Sequence, residues 1–298
     1  MSTVLAYQVR LHLIVLIFGF TGILGKLIEL PASFIVLYRM IIASIGLALF
    51  LIARKTNFTV DMGKRIKWLL TGIVVGVHWF FFFESIKVST VSVALVSLSC
   101  TTLFTSVLEP LFHKKKVKFY EIAFSVLIIC GMILVLRFEF SYWLGILYGI
   151  ISAFLASLFT VLNSRFVAEA KPSLISLHEL MGGGFFVFLV VLFVEIPKTG
   201  LILPGASDLF YLLLLGIVAT ALAFVVSVQV MKKLSAFTVS LSINLEPLYG
   251  IILAVLIFGQ EEYMSIGFYL GFALILSTIL LNAYFKRKTS VSASAQNL

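Results

Sequence analysis

The sequence predicts an all-α integral membrane protein of ten transmembrane helices in two inverted five-helix repeats. Three observations carry this. First, 61% of the residues are hydrophobic and 12% charged, with a mean hydropathy of +1.17; a soluble domain carries about 25% charged residues. A globule of 298 residues cannot bury so much apolar surface, and disorder needs the opposite composition. Second, ten apolar runs follow one another, each close to the ~20 residues that cross a bilayer. Third, the two halves of the chain share landmarks at a period of roughly 140 residues, too long for a solenoid repeat.

The first run, 9–27, begins near Leu11 and meets Lys26. It lacks an Ala-x-Ala cleavage pattern and nine runs follow, so it reads as a span and not a signal peptide. Pro31 opens the second, 34–53. The polar stretch from Arg54 to Lys67 is too short for a domain and leads into 68–86. Runs at 91–112 and 119–136 complete a first repeat over 9–136. The second repeat, 143–284, holds 143–163, then 175–195 behind Pro172, then 208–229, 236–258 and 264–284. The tail 285–298 is basic, then rich in Ser and Ala, and is expected to be disordered.

The net charge of +9 sits in short clusters between apolar runs. Such clusters report orientation in a membrane, not a nucleic-acid partner. With the N-terminus inside, 17 Lys and Arg fall on inner segments and 5 on outer ones. The expectation is a multi-pass protein of the cytoplasmic membrane with both termini cytoplasmic. Cys100 and Cys130 each lie inside an apolar run, so neither a disulfide framework nor a metal-ligand spacing is available.

The repeat shows in particular residues. Lys87-Val88-Ser89-Thr90 precedes span 4 and Lys233-Leu234-Ser235-Ala236 precedes span 9. Pro31 and Pro172 are followed at similar distances by Tyr38-Arg39 and His178-Glu179, and Gly72 matches Gly216. Five is odd, so the second copy enters the bilayer the other way up. Inverted repeats mark secondary transporters, whose sites lie near the midplane between the repeats and whose halves rock to give alternating access.

Polar groups at membrane depth each require a reason, since a charge at the bilayer centre costs about 2.5–3.5 kcal/mol on insertion scales. Glu246 is the sharpest, mid-span with Asn244 before it and Pro247 after it. Proline frees a carbonyl four residues back. Asn244, Glu246 and that carbonyl are candidates to line a cavity and to hold a cation, an amino group or a proton; a structural Glu paired with another helix is the alternative. His78 titrates near neutral pH when unperturbed and is a candidate for substrate binding, with Trp79 positioned to stack on a flat or cationic ligand. The alternative is a neutral imidazole bonded to a Ser or carbonyl on a neighbouring helix. Ser97, Ser99, Cys100, Thr101 and Thr102 form the inverted mate of the Asn244–Pro247 segment, with Ser99 and Thr101 as candidate ligands or else packing residues. Tyr38 and Arg39 near the outer face, and His178 and Glu179 near the inner, are candidate gates, with snorkelling as the alternative. Gly182-Gly183-Gly184 would give span 7 a hinge or a close packing face.

Certain classes are excluded. No span has Lys or Arg near its centre by this count, which favours a neutral, zwitterionic or cationic solute over a phosphorylated one. No Gly-rich loop ends in Gly-Lys-Ser/Thr, so the chain itself does not hydrolyse ATP, and no His-Glu-x-x-His pattern occurs.

Several short motifs carry a resemblance. Gly19, Lys26, Pro31 and Arg39, the stretch Leu158 to Arg165, and Ser235-Ala236, Leu245-Glu246-Pro247, Gly259-Gln260-Glu261 and Gly267 occur in order over 10–285. Together they resemble EamA-type transporters of the drug/metabolite transporter superfamily. The resemblance implies export of small metabolites such as amino acids. The expected partners are a small solute, the lipid bilayer, protons as coupling ion and a second copy in a homodimer, with no nucleic acid and no cofactor. The rival readings are a membrane-embedded enzyme or scaffold, for which only His78 and Glu246 offer chemistry, and a channel-like uniporter.

Overall fold

The computed structural model describes residues 3–114, 119–278 and 281. The tail 285–298 and the Lys115–Lys118 stretch lie outside the described residues. Ten helices follow: α1 Thr3–Leu27, α2 Ala32–Ala53, α3 Met62–Val88, α4 in two halves Val91–Leu98 and Thr101–His113, and α5 Phe119–Phe138. The second set is α6 Trp143–Phe166, α7 Pro172–Thr199, α8 Ala206–Val230, α9 in halves Ala236–Ile243 and Glu246–Phe258, and α10 Ile266–Thr278. Eight of these spans are long and apolar enough to cross a membrane, and α5 and α10 contribute shorter apolar stretches. No strand occurs among the described residues.

Local chemistry sets the helix starts. Asp61 accepts from Lys64 N at 3.1 Å at the start of α3. Thr90 accepts from Val93 N at 3.1 Å and Ser235 from Thr238 N at 3.2 Å, opening α4 and α9. Pro172 occupies the first turn of α7, where its missing N–H costs nothing. Charged residues gather at two faces. One, the Lys26 face, holds Lys26, Lys87, Asp208 and Glu262. The other, the Lys64 face, holds Arg54, Lys64 and Arg165. Between them large apolar side chains such as Leu49, Leu70, Ile133, Phe193 and Leu256 point outward to form a lipid-facing belt.

The packing is reciprocal. Helix α3 lies on α6 and α7, while α8 lies on α1 and α2; α4 lies on α6, while α9 lies on α1; and α4 crosses α9. Lipid gives helices no hydrophobic reason to associate, so contact depends on small residues that let backbones approach. A Cβ on Gly72 would strike the Glu179 carbonyl oxygen, and one on Gly216 would lie 3.3 Å from the Arg39 carbonyl. A Cβ on Gly131 would sit 2.7 Å from the Gly271 carbonyl, and one on Gly271 2.6 Å from that of Gly131. Such exchanged contacts are those of two copies related by a two-fold axis. Gly182 and Gly183 are jammed against the backbone of Leu69 and Gly72, so this segment is a packing face.

Both central helices break at equivalent points. In α4 the turn at Ser99–Cys100 uses the short bonds Ser99 N to Val96 O and Cys100 N to Ser97 O, both 3.1 Å. In α9 the turn at Asn244–Leu245 uses Asn244 N to Leu241 O at 3.2 Å and Leu245 N to Ser242 O at 3.1 Å. Pro247 then sits in the first turn of the second half. The caps Thr90 and Ser235, and the half-helix starts Thr101 and Glu246, pair the repeats one residue out of the sequence alignment of Thr90 with Ala236. A π-helical stretch occupies Leu214–Leu222 of α8, in the segment where the second repeat has one residue more between Gly216 and its cap Ser235 than the first has between Gly72 and Thr90.

Candidate functional site

A cavity with about 750 Å³ of empty space, its mouth included, lies between the repeats. Its polar wall is Thr21 from α1, Arg39 from α2, His78 and Trp79 from α3, Thr101 from α4, Thr160 and Asn163 from α6, Ser227 from α8 and Glu246 from α9. The lining runs from Leu98, beside the break in α4, to Asn163 and Met231, towards the Lys64 face. The Lys26 face is tied by contacts instead. Tyr38 Oη donates to Ile202 O at 2.7 Å, Lys87 Nζ to Ile28 O at 2.5 Å, and Lys26 Nζ bridges Glu261 and Glu262 at 3.0 Å each.

Arg39 does not snorkel to the interface, the alternative weighed against its reading as a gate. It is 1% exposed, its guanidinium carbon stands 3.8 Å from the centre of the Trp79 ring, and Nε donates to Thr220 Oγ1 at 2.6 Å. Nη2 reaches Ala219 O at 3.4 Å and Nη1 has no hydrogen-bond partner among the described residues. The count that left the spans without an internal cation is therefore corrected: α2 carries Arg39 into the cavity because its side chain leans on an aromatic ring forty residues away. Trp79 lines the cavity as well, with Arg39 over one face of its ring. Phe224 meets the same ring edge-on at 5.9 Å.

Glu246 lines the same cavity, 5% exposed, with no hydrogen-bond or ion-pair partner among the described residues. It begins the second half of α9, and Thr101 begins that of α4, so the two stand at equivalent places. His78 has the alternative arrangement read from sequence: Nδ1 lies 2.8 Å from Ser152 Oγ and 2.9 Å from Ser152 O, which pins the ring to α6. Its Nε2 has no partner among the described residues. Ser99 and Asn244 are buried in the two breaks but are not in the wall; Ser99 Oγ and both Asn244 amide atoms have no hydrogen-bond partner among the described residues. Nearby, Thr105 Oγ1 joins Ser157 Oγ at 2.8 Å and Ser240 Oγ at 2.9 Å, stitching α4, α6 and α9.

On the Lys64 side, His178 Nδ1 donates to Leu174 O at 2.8 Å and its ring meets Trp68 edge-on at 5.5 Å. Glu179 is fully buried and accepts from Asn163 Nδ2 at 3.2 Å.

Sequence reasoning missed a set of carboxylates that cap helices across the repeats. Glu262 accepts from Val91 N at 3.0 Å and Ser92 N at 2.9 Å, Glu109 from Phe237 N at 2.6 Å, and Glu139 from Ser265 N at 2.8 Å. Their signal was a Glu at a span end opposite a Ser/Thr-rich helix start.

The profile of the EamA-like transporter family matches residues 10–137 and 143–284. The chain belongs to the EamA-like transporter family. As an EamA protein it is a multi-pass membrane protein of the drug/metabolite transporter superfamily. It is 22% identical to the uncharacterized transporter YxxF of Bacillus subtilis strain 168, covering 91% of this chain and 89% of that one. It is 24% identical to the uncharacterized transporter YdfC of the same organism, over 81% and 79%. A crystal structure at 16% identity superposes with a TM-score of 0.73 over 95% of this chain and 98% of the other, a likeness of fold alone.

Proposed function

We propose that this EamA protein is a secondary transporter that moves a small zwitterionic metabolite, of the amino-acid class, across the cytoplasmic membrane by alternating access. The observation that carries the reading is the pairing of opposite charges left open on one cavity. Arg39 offers a free Nη1 and Glu246 a free carboxylate, and no ion pair joins them. In a wall otherwise built of apolar, aromatic and neutral polar side chains, a carboxylate with no direct partner and a guanidinium with one open N–H group are costly. A ligand carrying both a carboxylate and an ammonium satisfies both, through a charge-assisted bond at each end.

Alternating access is supported by the asymmetry of the two faces. The cavity wall continues towards the Lys64 face while ion pairs and hydrogen bonds tie the Lys26 face. Related helices in the two repeats would exchange these conditions when the halves rock.

The test is counterflow in proteoliposomes with the purified chain. Zwitterionic amino acids are expected to exchange, and analogues lacking either the amino or the carboxylate group are expected not to. Glu246→Gln, which keeps the shape and removes the charge, is expected to abolish exchange of the zwitterion. Equal exchange of the zwitterion and its decarboxylated analogue would overturn the assignment.

A further inference from the structure

Glu179 is a second buried carboxyl that the solute site does not use. It is 0% exposed on α7, and among the described residues one hydrogen bond reaches its carboxyl: Asn163 Nδ2 donates to Oε2 at 3.2 Å, while Oε1 has no hydrogen-bond partner there. The side-chain Oδ1 of Asn163 is likewise without a partner among the described residues, and Asn163 belongs to the cavity wall. Glu179 is thus one amide removed from the cavity.

The ionisable groups on the surrounding helices are engaged or placed elsewhere. Arg39 of α2 stacks on Trp79 and bonds Thr220; His78 of α3 bonds Ser152; Lys64 of α3 pairs with Glu169 at 3.7 Å. On α7 itself His178 bonds Leu174 O and packs on Trp68. Arg65 and Lys67 at the start of α3, Arg165 of α6 and Lys171 before α7 lie towards the Lys64 face. Glu246 of α9 is another carboxyl, and Asp208 of α8 is at the Lys26 face. No cation among the described residues lies within ion-pair distance of Glu179.

The repeat sharpens the contrast. Gly216 abuts the backbone of Arg39 as Gly72 abuts that of Glu179. At these equivalent places the first repeat holds a permanently charged group, fixed by Thr220, Ala219 O and Trp79. The second holds a carboxyl with one neutral partner.

We propose that Glu179 and Asn163 form a proton-binding site separate from the Arg39–Glu246 solute site, and that solute movement is coupled to it. A carboxylate without a countercharge in a membrane interior is unfavourable, and a bound proton removes the charge. The proton comes from hydronium in the cavity and adds to Oε1, leaving water; the reverse step returns it. When the cavity is hydrated past Asn163 the carboxylate is solvated and the proton leaves, and when the wall closes it is retained. Coupling of solute to that proton rests on the transporter reading; the proton site itself does not.

The experiment therefore has a solute-free arm. Infrared difference spectra of the full chain in lipid are recorded over a pH titration, following the carbonyl stretch of a protonated carboxyl. Wild type is expected to show a titrating carboxyl band that Glu179→Gln removes, that Glu179→Asp restores at a shifted frequency, and whose midpoint Asn163→Ala displaces. A second arm measures accumulation of a zwitterionic amino acid driven by an imposed pH gradient. Glu179→Gln is expected to lose gradient-driven accumulation and Glu179→Asp to recover it. A wild-type band unchanged by Glu179→Gln, or accumulation by that variant equal to wild type, overturns the proposal. A titrating Glu179 band with no exchange of any zwitterion leaves the proton site standing and removes the solute assignment.

Discussion

Glu262 accepts hydrogen bonds from both the backbone N and the hydroxyl of Ser92, at 2.9 and 2.8 Å, although the two residues are 170 positions apart. The same carboxylate meets Lys26 at 3.0 Å, and its side chain is wholly buried while that of the neighbouring Glu261 is 72% exposed. Hydrogen bonds to a buried charge contribute about 1.5–3 kcal/mol each, and exposed ion pairs about 0–1 kcal/mol. Glu262→Ala is therefore expected to lower thermal stability in detergent by about 3 kcal/mol, and Glu261→Ala by less than about 0.5 kcal/mol. Equal effects in a melting assay would mean that the cap at α4 is not carried by Glu262.

Arg39 and Trp79 act as one unit if the stack at 3.8 Å orients the guanidinium. Arg39→Lys loses the planar fork, and Trp79→Ala loses its support, so the two changes are expected to be non-additive in solute affinity. The coupling expected from a double-mutant cycle is about 0.5–2 kcal/mol. Calorimetric or counterflow affinities that simply add would separate the two residues.

Close helix contacts predict where a methyl group is not tolerated. Gly182→Ala drives its Cβ into the Leu69 backbone, whereas Gly205 has open space around it. Overpacking costs about 1–3 kcal/mol, so Gly182→Ala is expected to reduce folded yield and melting temperature, with Gly205→Ala close to wild type.

Topology is checked by reporter fusions. The Lys and Arg bias assigns the Lys64 face to the cytoplasm. A fusion after Asn57 is expected to report cytoplasm and one after Pro204 the outside. The reverse pattern would invert every statement about sidedness.

Much of the fold was legible because hydropathy and length are one-dimensional properties of a span. The runs at 143–163 and 208–229 fall inside α6 and α8, and the correspondence of Gly72 with Gly216 survives as a pair of exchanged contacts. Glu246 was legible as a mid-span carboxylate beside a proline. Arg39 was not, because depth along a helix says nothing of which ring a long side chain leans on. His78 was half legible: its depth was, but the Ser152 that holds it lies 74 residues on. The caps by Glu109 and Glu262 were invisible for the same reason, since a Glu at a span end reads as a loop residue until its partner helix is known.

Those crossed caps also impose an order on biosynthesis. At about 5–20 residues per second, the 170 residues separating Ser92 from Glu262 take the ribosome about 10–30 s. Throughout that interval α4 exists with its leading amides still waiting for their acceptor. Helix α9, by contrast, emerges after Glu109 has already been made. The first half of the nascent chain is thus an unfinished object that the second half completes, and a ribosome stalled before α9 leaves a product in which Glu262 never reaches those amides.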